Sequence, residues 1–183
     1  MGLLVGEKAP VFKGTAVVGG KADSLNPDNA FKEISLEDYK GKWVVFFFYP
    51  LDFTFVCPTE IEAFGKEYEK FKEINCEVVT CSTDSHFSHL AWRQQQPGLK
   101  ELPYPMLSDF NGENSAKYEV LNTKAGYALR GLYIIDPDGV LQYMVMHPED
   151  VGRNTAETLR VLKALQTGKK TPCGWQEGDS TLD

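Results

Sequence analysis

The spacing of apolar residues changes several times along this chain, and each change predicts an element. As far as about Lys42 the sequence gives turn signals, Gly19-Gly20 and Asn26-Pro27-Asp28, with little regular period. Within it, Ser35-Leu36-Glu37-Asp38 reads as a helix start, a serine cap followed by acids in the first turn. The run Trp43 to Tyr49, WVVFFFY, is apolar throughout, β-branched and aromatic, which predicts a strand buried on both faces and ended by Pro50. From Pro58 to Lys72 the period becomes helical, with Ile61, Phe64, Tyr68 and Phe71 on one side and charges on the other. CEVVTCS then reads as a second strand and Phe87 to Gln95 as a short helix stopped by Pro97-Gly98. Pro103 to Pro105 reads as a loop and Asn114 to Tyr118 as one helical turn. GYALRGLYIID and VLQYMVM flank Pro137-Asp138-Gly139, the signature of a β-hairpin. Leu159, Leu162 and Leu165 make Thr155 to Gln166 an amphipathic helix.

Alternating strands and helices followed by a hairpin predict an α/β domain, a mixed central sheet flanked by helices, in an order similar to a thioredoxin-like fold. We expect that domain to run over residues 1–166, with 167–183 as a mobile C-terminal tail, because GKKTPCGWQEGDSTLD is polar and carries Gly and Pro. The length of 183 residues allows a full core without staples. A formal charge of −7 argues against broad binding to nucleic acid. No apolar run approaches the roughly 20 residues of a membrane helix, and MGLLVGEKAP lacks the pattern of an export signal, so the expected location is cytoplasmic. There, the four cysteines Cys57, Cys76, Cys81 and Cys173 are expected to serve chemistry or packing rather than structural disulfides.

Cys57 stands out by position. It follows a buried strand and falls in the first turn of a helix, where unpaired N–H groups and the helix dipole favour an anion such as a thiolate. Pro58 suits that first turn. On position alone, a small buried hydrophobe explains Cys57 equally well. Cys76 and Cys81 with His86 and His89 have the spacing C-x4-C-x4-H-x2-H, superficially a zinc set. However, two residues five positions apart on one strand face opposite ways, which argues against both a metal site and a disulfide there. His147 has no visible partner, Gly19-Gly20 lacks the context of a phosphate loop, and Trp43, Trp92 and Trp175 read as packing residues.

The segment FFFYPLDFTFVCPTE resembles the P-x-x-x-T-x-x-C signature of peroxiredoxins, in the form found in typical two-cysteine members of the alkyl hydroperoxide reductase C type. STDSHFSHLAW, LRGLYIIDPDG and VGRNTAETLR resemble further family blocks in family order, so the likeness spans about residue 5 to the C-terminus. The resemblance implies a thiol peroxidase without a cofactor or metal, in which Cys57 attacks a peroxide and becomes a sulfenic acid. It implies that Arg130 stabilises thiolate and peroxide oxygens, that Thr54 accepts a hydrogen from the peroxide and donates to the thiolate, and that Pro50 shields the sulfur. Glu60 would orient Arg130, and Arg153 would lie nearby as an outer arginine. Cys173 would resolve the sulfenic acid of a partner subunit, although Thr171-Pro172-Cys173-Gly174-Trp175 places it two residues beyond the family's usual position. The implied partners are a peroxide substrate, a second copy in a homodimer that assembles into a decameric ring, and thioredoxin or a dedicated flavoprotein disulfide reductase as electron donor. The histidine block is expected near the interface between dimers. A one-cysteine peroxidase and a holdase ring are the rival readings; a C-x-x-C oxidoreductase is disfavoured because position 60 is Glu60. Gln94-Gln95-Gln96-Pro97-Gly98-Leu99 replaces the Gly-Gly-Leu-Gly loop of many eukaryotic relatives, and little chain follows Cys173 to form their Tyr-Phe helix, which predicts resistance to overoxidation.

Overall fold

The structure, a computed structural model, describes residues 2–183. Seven strands form one mixed sheet in the order β2-β1-β5-β4-β3-β8-β9. Its centre is the pair the sequence made plainest. β3 (Trp43–Phe48) is buried from Val44 onward and runs parallel to β4 (Cys76–Ser82), which in turn runs parallel to β5 (Met106–Ser108). On the other side, β3 pairs antiparallel with β8 (Arg130–Ile135), and the turn at Pro137-Asp138-Gly139 returns the chain as β9 (Leu141–His147), the last strand of the sheet. That turn is tied by the Asp136 carboxylate, which accepts from the N–H groups of Asp138 (3.0 Å) and Val140 (2.9 Å).

The stretch before Lys42 is more regular than its pattern implies. β1 (Lys13–Val17) and β2 (Phe31–Ser35) pair antiparallel, and β1 also joins β5. Their signal is weak because β2 is an edge strand carrying exposed Lys32 and Glu33, and β5 is only three residues long. The serine cap is present as expected: Ser35 and Asp38 form a reciprocal capping box over a 3-10 turn at Leu36–Tyr39.

The expected helix from Pro58 to Lys72 begins earlier and divides. α1 (Val56–Lys66) is separated from α2 (Tyr68–Glu73) by Glu67, just after Gly65, a poor helix former. Ile61, Phe64, Tyr68 and Phe71 are all buried as the period requires. Phe64 stacks on Phe47 of β3 with ring centres 4.5 Å apart, fixing α1 on one face of the sheet. α2 packs on β4, and α3 (His86–Gln95) packs on β1 and β5. α4 (Glu113–Lys117) is a single short turn, and Tyr127-Ala128 leave the expected hairpin to form a small separate ladder, β6 (Leu121–Asn122) with β7 (Tyr127–Ala128). The opposite face of the sheet carries an aromatic cluster of Phe12, Phe46, Phe48, Tyr118 and Tyr133.

The chain divides into two compact units, one ending at Arg153 and the other spanning Asn154–Asp183. The second unit contains α5 (Thr155–Gln166), matching the sequence reading, and the tail beyond it, which has no regular element but is folded on itself. The Trp175 indole N–H donates to the Asp179 carbonyl (3.1 Å), the Arg160 guanidinium donates to the Trp175 carbonyl (3.0 Å), and the Leu182 N–H donates to the Lys170 carbonyl (2.8 Å). Among the described residues no helix is long and apolar enough to cross a membrane.

Candidate active site

Leaving β3, the chain turns through Pro50–Phe55 and enters α1, so that Cys57 lies in that helix's first turn. No side chain caps this end, so the first N–H groups and the helix dipole act on whatever is placed there. Cys57 is buried, yet it forms the floor of an open pocket of about 180 Å³ whose walls include Pro50, Leu51, Thr54, Phe55, Tyr127, Arg130, Glu149 and Asp150.

Arg130, at the start of β8, directs two guanidinium N–H groups at the Cys57 sulfur, with Nη2 at 3.5 Å and Nη1 at 3.6 Å. Its Nε donates to the Glu149 carbonyl (2.7 Å), and its Nη1 also donates to Glu60 Oε2 (2.5 Å). Glu60, one helical turn after Cys57, faces inward and is 4% exposed. Its Oε1 accepts from the Arg153 backbone N–H (2.8 Å) and Nε (2.7 Å), and its Oε2 from Arg153 Nη2 (3.0 Å). Burial pushes the Glu60 carboxyl up, but the hydrogen bonds and charge of Arg153, reinforced by Arg130, outweigh it and hold the group below the usual carboxylate range. Arg153 lies over the Phe47 ring (5.0 Å) and donates to the Gly131 carbonyl (2.7 Å). It therefore braces Glu60 rather than touching the sulfur.

Thr54 lines the same pocket, and its hydroxyl donates to the Leu51 carbonyl (2.8 Å), leaving the oxygen's lone pairs to accept. Pro50 also lines the pocket. Cys173, in the second compact unit, is exposed and unbridged. Thus Pro50, Thr54, Cys57 and Arg130 surround one cavity, Glu60 and Arg153 support it from behind, and Cys173 belongs to a separate part of the chain.

A supporting network of Tyr49, Asp52, Asp84, Ser88 and His89 escaped the sequence reading. The Asp52 carboxylate accepts from Tyr49 Oη (2.7 Å) and Ser88 Oγ (2.8 Å), and lies 2.8 Å from His89 Nδ1. His89 Nε2 faces the Leu107 carbonyl (3.2 Å), and the Asp52 N–H donates to Asp84 Oδ2 (2.8 Å). This network clamps the Pro50–Phe55 turn, in which Phe53 adopts a left-handed φ of 55°. His89 is fully buried within it. His86 lies against the rings of Phe31 and Phe87 instead. The only sequence signal for the clamp is the short polar Asp52 between Leu51 and Phe53.

Cys76 and Cys81 project to opposite faces of β4, and burial pushes both thiols up, which keeps them neutral. No group of three or more His, Cys, Asp or Glu among the described residues is arranged to hold a metal ion.

Comparison with known proteins agrees with this geometry. Residues 5–144 match the AhpC/TSA family. The chain is similar to a putative peroxiredoxin in the rubredoxin operon of Clostridium pasteurianum, at 48% identity over 98% of both chains. It is also similar to a mitochondrial thioredoxin-dependent peroxide reductase of Mus musculus, at 49% identity over 97% of this chain and 68% of that one. Among solved structures, a reduced 2-Cys peroxiredoxin from Plasmodium vivax superposes with a TM-score of 0.88 at 38% identity, covering 97% of this chain and 91% of the other.

Proposed function

The chain belongs to the AhpC/TSA family of peroxiredoxins and is a thiol-dependent peroxidase, and from that premise we propose how its own residues divide the work. Cys57 is the nucleophile. Its thiolate attacks the distal oxygen of a hydroperoxide: an S–O bond forms as the O–O bond breaks, sulfur loses two electrons, and the leaving alkoxide or hydroxide takes up a proton. Arg130 carries this reading, because two donors converging on one sulfur favour the anion and remain in place for the charge that develops on the peroxide oxygens. Thr54 accepts the peroxide hydrogen, Pro50 closes the wall against water, and Glu60 with Arg153 keeps the guanidinium aimed.

Cys173 then resolves the sulfenic acid on a second subunit. The new S–S bond releases the oxygen as water, and an external dithiol reduces the disulfide again. Its exposure and its place in a segment without helix or strand support that role. The donor we propose is thioredoxin, the reductant in the name of the mouse relative, or a dedicated flavoprotein disulfide reductase. The assembly is a homodimer built into a decameric ring. Exposed Met144 and Met146 on the terminal strand β9, and exposed Phe53, Phe55, Phe87 and Phe110 elsewhere, supply apolar surface for two kinds of contact. A reducing, cytoplasmic setting fits a disulfide that must be opened in every cycle.

The test is non-reducing mass spectrometry after one equivalent of peroxide. A cross-link between Cys57 of one chain and Cys173 of another is expected, and a Cys57 link to Cys76 or Cys81 would overturn the scheme. The displaced register of Cys173 favours one alternative, a one-cysteine peroxidase. Undiminished turnover of Cys173→Ser with thioredoxin would establish that instead.

A further inference from the structure

On the proposed mechanism the charges at and behind the floor of the pocket cancel: the reacting sulfur anion of Cys57 and Glu60 offset Arg130 and Arg153, all within one hydrogen-bonded group. The field felt by an arriving substrate is therefore set by the groups at the mouth, where Glu149 and Asp150 are both exposed and both line the pocket. Glu149 is held there, and Asp150 follows it in the chain. The Glu149 carbonyl accepts from Arg130 Nε (2.7 Å), so this backbone is tied to the guanidinium that faces Cys57. The Glu149 side chain accepts from the Tyr127 hydroxyl at Oε2 (2.6 Å), which keeps the carboxylate on the rim rather than swinging into solvent. That hydrogen bond also pushes the Tyr127 hydroxyl up, so it remains a donor. The same pocket is also lined by Leu51, Phe55 and Val56, which are apolar.

We propose that Glu149, positioned by Tyr127 and the Arg130–Glu149 carbonyl bond, and the adjacent Asp150 are specificity residues that exclude anionic hydroperoxides and admit neutral ones, whose alkyl group rests on Leu51, Phe55 and Val56. The proposal rests on Cys57 being the site of peroxide reduction and adds the charge class of its substrate. Each exposed carboxylate within a few ångströms of a substrate's own charge discriminates by roughly threefold at moderate salt, and two together by about tenfold. Hydrogen peroxide, small and neutral, passes unhindered.

The experiment compares kcat/KM for three matched substrates: cumene hydroperoxide, its para-carboxylate and a para-trimethylammonium analogue. In the unmodified protein the carboxylate is expected to react about tenfold more slowly than the neutral compound, with the gap narrowing as ionic strength rises. In Glu149→Gln/Asp150→Asn the anionic-to-neutral ratio should rise about tenfold, the cationic-to-neutral ratio should fall, and the salt dependence should flatten. These ratios are independent of any change in absolute rate, and the salt dependence of the unmodified protein tests the idea even if the double variant fails to fold. Ratios that stay within twofold of the unmodified protein overturn the specificity role. Consumption of all three substrates by Cys57→Ser would instead overturn the assignment of the nucleophile.

Discussion

Replacing Glu60 by glutamine probes the site at its most heavily bonded point. The carboxylate accepts four hydrogen bonds from two buried arginines, and glutamine keeps one oxygen but turns the other position into a donor. If the amide oxygen keeps the Oε1 partners, the bonds from Arg130 Nη1 and Arg153 Nη2 are lost. Charge-assisted bonds contribute about 1.5–3 kcal/mol each, so the direct loss is about 3–6 kcal/mol. Breaking a buried ion pair by removing one partner costs about 3–5 kcal/mol, and the two routes agree. For a chain of this length about 1 kcal/mol moves Tm by roughly 2–4 °C, so differential scanning calorimetry should show a fall of roughly 6–20 °C. Stopped-flow oxidation of Cys57 should slow by on the order of 100-fold, because the guanidinium facing the sulfur loses its anchor. The sign of the pH effect follows from the direction of the shift. The folded carboxyl titrates below its unfolded value of about 4.3, so its contribution is fully present above that pH and disappears as pH falls through the folded pKa. The stability gap between the two proteins should therefore be widest near neutrality and close in acid below about pH 4. A Tm change under 2 °C with an unaltered oxidation rate would refute the reasoning.

Asp52→Asn should destabilise by about 2–4 kcal/mol, since it removes an acceptor shared by Ser88 and His89. As a positioning change it should also slow Cys57 oxidation, while Ser88→Ala, which deletes one bond at the edge of the clamp, should leave the rate within a few-fold; equal effects on rate would contradict a role in holding the turn. Because burial keeps Cys76 and Cys81 as thiols, iodoacetamide at pH 8 should label Cys57 and Cys173 in the native protein and reach the other two only after denaturation. Labelling of Cys81 at the rate of Cys173 would contradict that burial. During turnover the enzyme should tolerate peroxide well above the low micromolar range; early inactivation with sulfinic Cys57 in the mass spectrum would show that the Gln94–Leu99 segment does not confer resistance.

The parts of the fold that were legible in the sequence are those whose burial pattern is complete within one segment. β3 is apolar throughout, β4 is built around Val78-Val79 between two cysteines, and α5 repeats its leucines at helical spacing. β1, β2 and β5 were not, because a short strand is decided by what it pairs with: β5 has three residues, and its place between β1 and β4 is set by partners about 90 and 26 positions away. The site divides in the same way. Cys57 and Pro58 announce a helix start locally, but nothing in the local pattern links Arg130 to them; that came from resemblance to known sequences. The Asp52–His89 contact joins residues 37 apart, and a histidine flanked by Ser88 and Leu90 does not reveal which carboxylate it meets.

The register of one strand pair delivers the chemistry. β8 lies antiparallel to β3 with Leu132 opposite Phe47, so Arg130, two residues earlier, shares the face on which Phe47 receives α1. The start of that helix, with Cys57, is thereby brought to the guanidinium. Gly131 takes the opposite face, where a Cβ would meet Tyr133 Oη and Val120 Cγ2 at 2.8 Å, while its carbonyl holds Arg153. A slip of one residue would exchange these faces. Arg130 would then point into the aromatic cluster of Phe46, Phe48, Tyr118 and Tyr133, with no carboxylate to meet it, at a cost of several kcal/mol. It would also press a side chain of β8 against α1 where the Arg130–Glu60 pair now fits. The buried arginine that faces the sulfur therefore also penalises the wrong register. On the mechanism proposed above, catalysis and correct sheet assembly place their demands on the same residue, Arg130.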